Sequence, residues 1–266
     1  MKKIGIIGCG NVATEILKTD IGDYVREVCL FDIDEEKTYN LAELFHSRYN
    51  FVICNSVKEL VKESDIIVES ASVNAVKSLL QELTKFPEKK VLILSVGGVI
   101  RNFQLYKKLI QKNYKIYIPS GAIVGCDGLS ALTNSGIKKI ILRTTKPTES
   151  LLSAPYFKQN KSIYKKVLSS KKTVVFRGNV YDAIKYFPQN INVAATLAVI
   201  SHQPQKVEVE LVAQKGLKKN IHEVTIISDA GKIYTKTENV PSVSNPKTSY
   251  LAALSLIYNL KMLLKE

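Results

Sequence analysis

The chain has 266 residues, 45% of them hydrophobic and 23% charged, with a mean hydropathy of +0.01. That balance excludes a disordered or fibrous chain, and the length favours two domains over one or three. Lys and Arg number 38 against 24 Asp and Glu, a net charge of +14 with a pI near 9.4, which favours anionic partners: nucleic acid, a membrane surface or acidic small molecules.

Up to Pro119, short β-branched runs alternate with helical stretches. Strands are predicted at 3–7, 27–31, 51–54, 66–69, 91–95 and 115–118, and helices at 12–18, 35–47, 57–62, 73–85 and 102–111. This rhythm specifies a doubly wound parallel sheet with helices on both faces. Beyond Pro119 come a helix near 128–133, a strand at 138–144 and a basic stretch, 158–172, with six lysines and no acid. Its single aromatic residue, Tyr164, makes a solvated helix face the simpler reading than nucleic-acid binding. A strand at 173–176 and helices at 180–187 and 191–200 follow. Strands at 207–213, 221–228 and 232–236 then read as an antiparallel meander. A last helix, capped by Asn245 with Pro246 in its first turn, runs through 250–264 and is expected to pack back on the first domain.

The four cysteines, Cys9, Cys29, Cys54 and Cys126, form no C-x-x-C pair and no zinc spacing, so no metal site is expected. The longest apolar run, 91–100, is about half the roughly 20 residues of a membrane span. The opening Met1-Lys2-Lys3 precedes an apolar stretch too short and glycine-broken for a signal peptide. A cytoplasmic protein, bound to neither membrane nor nucleic acid, is expected.

Gly8-Cys9-Gly10-Asn11-Val12-Ala13 is a G-x-G-x-x-A element placed directly after the first strand and opening a helix. Gly8 permits the tight turn, Gly10 lets backbone approach a pyrophosphate, and Ala13 allows close helix packing. The N–H groups of Asn11 and Val12 lie at the positive end of the helix dipole. Asp32, 22 residues after Gly10, closes the second strand, where its carboxylate can accept hydrogen bonds from an adenosine ribose. The predicted cofactor is therefore NAD or NADP, with Asp32 favouring NAD. Loops 70–72, 96–98 and 118–128 should line the pocket beyond the strand ends.

With Gly8–Ala13, Ser95-Val96-Gly97-Gly98, Ile118-Pro119-Ser120-Gly121-Ala122-Ile123, the 187–197 segment containing Asn190-Ile191-Asn192-Val193-Ala194-Ala195, Asn220-Ile221-His222-Glu223, and Asn245-Pro246-Lys247-Thr248-Ser249, the sequence resembles the L-aspartate dehydrogenases nearly end to end. The resemblance implies a Rossmann domain (1–121, joined by helix 245–266) and a second α/β domain with a mixed or antiparallel sheet (122–244) serving catalysis and dimerisation. It implies NAD(P)-dependent conversion of L-aspartate to iminosuccinate, then oxaloacetate and ammonia, reversibly, in a homodimer that can feed NAD biosynthesis. His222 becomes the acid/base, and Val124 and Asn192 become cofactor contacts. Val124 stands where alanine is expected in many relatives, and a backbone contact tolerates that difference.

The chemistry suits these residues. Amine oxidation needs a neutral nitrogen, so a base must take its proton, and a histidine near pKa 6.5 can also activate the water that hydrolyses the imine. His46 and His202 lack a polar constellation. His222 shares a strand face with Val224 and Ile226, a pattern that by itself also fits a core histidine, while Glu223 points to the other face. Asn192 either caps its helix or holds the nicotinamide carboxamide. A dicarboxylate demands cations, with Arg143, Lys185 and Lys247 unranked candidates, and Cys126 has no histidine near it to support thioester chemistry. The rival readings are a dehydrogenase of another small acid or semialdehyde, and a non-catalytic nucleotide-sensing or nucleic-acid-binding protein.

Overall fold

The structure is a computed structural model that describes residues 1–242 and 248–266; the Asn245-Pro246 helix entry and Lys247 lie outside the described residues. The chain divides into two compact units, Met1–Pro119 with Ala253–Glu266, and Ser120–Ala252.

The first unit is built on six parallel strands: β1 (Lys2–Ile7), β2 (Val25–Phe31), β3 (Phe51–Ile53), β4 (Ile66–Glu69), β5 (Lys90–Ile93) and β6 (Lys115–Tyr117), in the order β3-β2-β1-β4-β5-β6. This is the doubly wound sheet read from the sequence, with the strand order reversing between β1 and β4. Strand β1 is central, so Ile4, Ile6 and Ile7 are all buried. One element differs from expectation. Residues 96–98, read as a loop, open a helix, Val96–Arg101, because five consecutive buried residues from Val96 to Ile100 gain more from packing than the two glycines cost in helix propensity. Gly98 is seated tightly: a Cβ there would lie 2.6 Å from the Val73 carbonyl oxygen. The last helix, Tyr250–Lys265, contributes Leu256, Leu260 and Leu263 to a core shared with Ile4, Ile6, Ile16 and Leu30.

The second unit carries β7 (Ile137–Pro147), β8 (Lys172–Asn179), β9 (Val207–Gln214), β10 (Asn220–Ser228) and β11 (Gly231–Asn239), in the order β11-β10-β7-β9-β8. The expected three-strand meander is corrected here. Only β10 and β11 form a hairpin, and β7 separates β10 from β9, antiparallel to the first and parallel to the second. The outer-face charges match this order. Arg143 of β7 is in register with Glu210 of β9 and Glu223 of β10, so a basic strand lies between two acidic ones. Its guanidinium pairs with Glu210 at 3.0 Å, Arg177 of β8 meets the same carboxylate at 2.6 Å, and Lys139 pairs with Glu208 at 2.9 Å. Such exposed pairs contribute about 0–1 kcal/mol each, enough to favour a register though not to hold the sheet together. The basic stretch forms helices Tyr156–Gln159 and Lys161–Ser169 with its lysines exposed, anchored by Tyr156 against Phe176 and Phe187.

A buried carboxyl ties the ends of β4 and β5 together. Glu69 accepts backbone N–H bonds from Ala71 (3.0 Å), Ser72 (3.1 Å) and Ser95 (3.0 Å). Those bonds favour the carboxylate, yet desolvation outweighs them and pushes the pKa up to about 7. Between pH 4.5 and 7 the folded chain holds a proton that the unfolded chain releases, so the stability contributed by this group is complete at low pH and is lost as pH rises through 7. Urea unfolding of wild type and Glu69→Gln at pH 5 and pH 8 should therefore show the wild type losing about 3 kcal/mol relative to the variant. A difference independent of pH would mean that Glu69 is ionised throughout.

Candidate functional site

The glycine-rich turn has the backbone its sequence demands. Gly8 has φ +95°, and a Cβ there would fall 2.6 Å from the Ala71 Cα and N, so both conformation and space require glycine. Gly10 caps helix Asn11–Lys18 at an ordinary φ of −94°, and a Cβ there would meet nothing within 4 Å. The first bond of that helix runs from Thr14 N–H to the Gly10 oxygen at 3.1 Å, so the N–H groups of Asn11, Val12 and Ala13 precede it, and no acid stands in the first turn. Beside this opening the Asp32 carboxylate accepts from Cys9 N–H (2.9 Å) and Asp34 N–H (3.0 Å), one on each oxygen, leaving lone pairs for further donors. The open face of Gly10, the N–H groups behind it and Asp32 fit an anionic dinucleotide.

In the second unit, three strands set six polar side chains at one end of a buried sheet face. In β10, Asn220, His222, Val224, Ile226 and Ser228 share the buried face, alternating with half-buried residues. His222 is in register with Thr144 of β7 and Thr237 of β11, and Asn220 with Asn239. Lys146, two residues beyond Thr144, extends the second row. The face is therefore apolar at Val224 and Ile226 and polar at its other end.

Each polar group has defined contacts. His222 is 2% exposed, with Nδ1 3.0 Å from the Thr144 hydroxyl. When Nδ1–H donates to that oxygen, Nε2 presents its lone pair. Desolvation and the nearby Lys146 ammonium hold the imidazole down at about 3, so it is neutral near pH 7. Lys146 is 5% exposed, and its Nζ donates to the Asn190 amide oxygen at 3.2 Å; burial lowers it to about 8. Thr237 Oγ1 (3.0 Å) and Asn239 Nδ2 (2.8 Å) both donate to the Ala122 carbonyl, anchoring the Pro119–Ile123 segment. Asn220 Nδ2 donates to Ser249 Oγ at 3.3 Å, while its buried Oδ1 has no partner.

Val124 is 52% exposed, between Gly121 and Gly125, both at positive φ, in the loop whose Ala122 carbonyl is fixed beside His222. Asn192 is the first residue of helix Asn192–Ile200, two positions after the Asn190 that binds Lys146. Glu223 faces away and accepts from the Tyr234 hydroxyl. Of the three candidate cations, Arg143 is taken up by Glu210 on the outer face, Lys185 lies over the Tyr186 ring, and Lys247 is outside the described residues. Burial pushes the Cys126 thiol up to about 11, which leaves it protonated and a poor nucleophile. His46 and His202 are exposed. Sequence reasoning does not reach Lys146, because the strand expected at 138–144 ends three residues short; Thr144, Asn190 and Asn220 join the cluster only through pairing and packing between distant segments. Extended to Pro147, strand alternation puts Lys146 on the Thr144 face. Among the described residues no three His, Cys, Asp or Glu are grouped to hold a metal ion, and no helix is long and apolar enough to cross a membrane.

Comparison with known proteins agrees with this architecture. A family profile described as aspartate dehydrogenase, C-terminal, matches residues 127–263, and one described as NADP oxidoreductase, coenzyme F420-dependent, matches residues 3–97. The L-aspartate dehydrogenase of Methanosarcina mazei is 39% identical over 99% of this chain and 97% of its own, and that of Methanococcoides burtonii 40% identical over 98% and 96%. The crystal structure of aspartate dehydrogenase from Thermotoga maritima superposes with a TM-score of 0.74 at 26% identity, covering 99% of this chain and 97% of the other. End-to-end identity of this order, with the profile match across the whole polar sheet, means that the chain belongs to the L-aspartate dehydrogenase family.

Proposed function

We infer that this chain oxidises L-aspartate with NAD or NADP to iminosuccinate, which is hydrolysed to oxaloacetate and ammonia, and that it catalyses the reverse reaction. The observation that carries the reading is a neutral imidazole, pinned through Nδ1 on the polar end of a buried sheet face, in a chain of this family.

His222 is the acid/base. Its Nε2 takes a proton from the substrate ammonium, because the nitrogen needs its lone pair to form the C=N bond as hydride leaves Cα. When bound, NAD or NADP supplies the hydride acceptor. His222 then gives that proton up to solvent; in the second half it takes one from water as the oxygen adds to the imine carbon, passes it to nitrogen, and accepts the carbinol O–H proton as C=O forms and ammonia departs. Thr144 fixes the ring so that one nitrogen does all of this. The cofactor's pyrophosphate would lie against Gly8, Gly10, Asn11 and Val12 and its adenosine ribose against Asp32. The Asn192 amide would hold the carboxamide, and Val124 would make a backbone contact. We also propose a homodimer, supplying iminosuccinate to NAD biosynthesis; light scattering that returned the monomer mass at working concentration would overturn the dimer.

Two measurements test the reading. The Gly10→Ala substitution keeps an allowed backbone and meets no neighbour, so stability should stay within about 0.5 kcal/mol. Its methyl group fills the open face, and NAD affinity should fall at least about tenfold by calorimetry. Unchanged affinity would move the pyrophosphate elsewhere. Absorbance of the reduced nicotinamide should rise with L-aspartate and not with D-aspartate, L-glutamate or L-malate, and His222→Ala should lower kcat by about 10²–10⁴ with NAD binding retained. Turnover of another small acid, or an unimpaired variant, would return His222 to the sheet core.

A further inference from the structure

Asn220 stands two residues before His222 on β10, on the same buried face, and none of the roles assigned above uses it. Only half of its amide is engaged: Nδ2 donates to the Ser249 hydroxyl, while Oδ1 is sealed from solvent and receives no donor. Leaving a buried acceptor in that state costs on the order of 1–3 kcal/mol. Among the described residues three other buried side-chain oxygens lack a hydrogen bond, and each has a simpler account. The Glu27 oxygen faces the Lys3 ammonium at 2.6 Å, and the hydroxyls of Thr173 and Thr235 can rotate to donate as well as accept. The Asn220 carbonyl can do neither, and it lies beside the candidate acid/base.

We propose that Asn220 Oδ1 accepts an N–H of the substrate's amino group, holding the nitrogen on which His222 acts. The proposal rests on the aspartate reading. L-Aspartate carries two carboxylates that only accept and a single donor group, its nitrogen, so a lone acceptor on this face can serve no other part of it. Spacing agrees: alternate residues of a strand are about 6–7 Å apart, and a tetrahedral nitrogen held about 2.9 Å from each of two acceptors needs them roughly 5 Å apart, within reach of neighbouring side chains. Both side chains are buried, so the movement that admits substrate to one admits it to the other. While His222 takes one proton from the ammonium, a second N–H stays on Asn220. As hydride leaves Cα, the neutral amine becomes an iminium, and positive charge grows on the nitrogen at which the amide carbonyl is aimed. The bond therefore strengthens in the transition state.

The test uses the full chain saturated with NADH, which blocks oxidation, and compares L-aspartate with succinate, the same dicarboxylate without nitrogen, by calorimetry. In Asn220→Leu, close in size but without the acceptor, L-aspartate affinity should fall at least about tenfold relative to succinate, with NADH affinity unchanged. Asn220→Asp keeps an oxygen toward the substrate and loses the N–H to Ser249, whose hydroxyl can donate to the second carboxyl oxygen, so the preference for L-aspartate should be kept. In oxidation assays kcat for L-aspartate should drop about 10- to 100-fold in Asn220→Leu and be largely retained in Asn220→Asp. An unchanged ratio of aspartate to succinate affinity in Asn220→Leu overturns the proposal. An equal loss in both variants also overturns it, leaving Asn220 only its bond to Ser249. If Asn220→Leu loses NADH binding and so fails to fold, Asn220→Asp decides: a kept preference supports the proposal and a lost one overturns it. If wild type fails to oxidise L-aspartate while its preference over succinate still depends on Asn220, the reaction reading falls and the amine site stands. If Asn220→Leu oxidises L-aspartate with wild-type kcat and KM, the amine site falls and the reaction stands.

Discussion

The penalty for removing polar and charged groups from water governs the second unit. Its five-stranded sheet buries one face, and at one end that face is not apolar: Thr144, Lys146, Asn220, His222, Thr237 and Asn239 are all under a tenth exposed. An unsatisfied polar group in such a place costs on the order of 1–3 kcal/mol, and a charge more. Thr237 and Asn239 meet the requirement by converging on one backbone carbonyl, Thr144 and His222 by bonding each other, and Lys146 through Asn190. Once these partners are fixed, so are the loop around Ala122, the start of the helix after Ile191 and the orientation of the imidazole. The sheet register is thus the framework on which the candidate chemistry is aligned.

The first unit answers the same constraint in another way. Where the strand order reverses, the turn after β1 and the ends of β4 and β5 present backbone N–H groups at positions where side chains are small or absent. Glu69 gathers three of those groups onto one carboxyl, and Ser70 donates to the Gly8 carbonyl at 3.3 Å, so the loops are tied to one another by short-range bonds. Gly8 is consequently confined by Ala71 and cannot carry a side chain, whereas Gly10 faces open space and needs none. One glycine is required by packing and the other leaves room for a ligand.

How much of this was legible in the sequence follows from which signals are local. The alternation of strands and helices before Pro119 is local and strong, and every element read there is present. The Gly-Gly pair at 97–98 is a local turn signal, but burial of its neighbours overrode it. Strand order in the second unit is not local: β9 and β10 are adjacent in sequence, yet β7 separates them, and only the matching of Arg143 with Glu210 and Glu223 hints at the insertion. Lys146 was missed for a related reason. A lysine followed by proline after a run of threonines reads as a strand ending in solvent, and nothing nearby in sequence shows that Asn190, 44 residues on, will meet it. His222 was found through resemblance; its alternation with Val224 and Ile226 is equally that of a core residue.

Position also decides what the net charge of +14 can do. The six lysines between 158 and 172 are exposed; in water a pair of unit charges 4 Å apart interacts by about 1 kcal/mol, and salt largely screens charges more than about 8–10 Å apart. Charges of that kind raise the local concentration of an anionic cofactor or substrate without distinguishing one acid from another. A single ammonium in a dry face acts in an effective dielectric nearer 20, where the same pair is worth about 4 kcal/mol and salt has little access. Position in the fold, more than the number of lysines, therefore decides how strongly any one of the 38 cations of this chain acts.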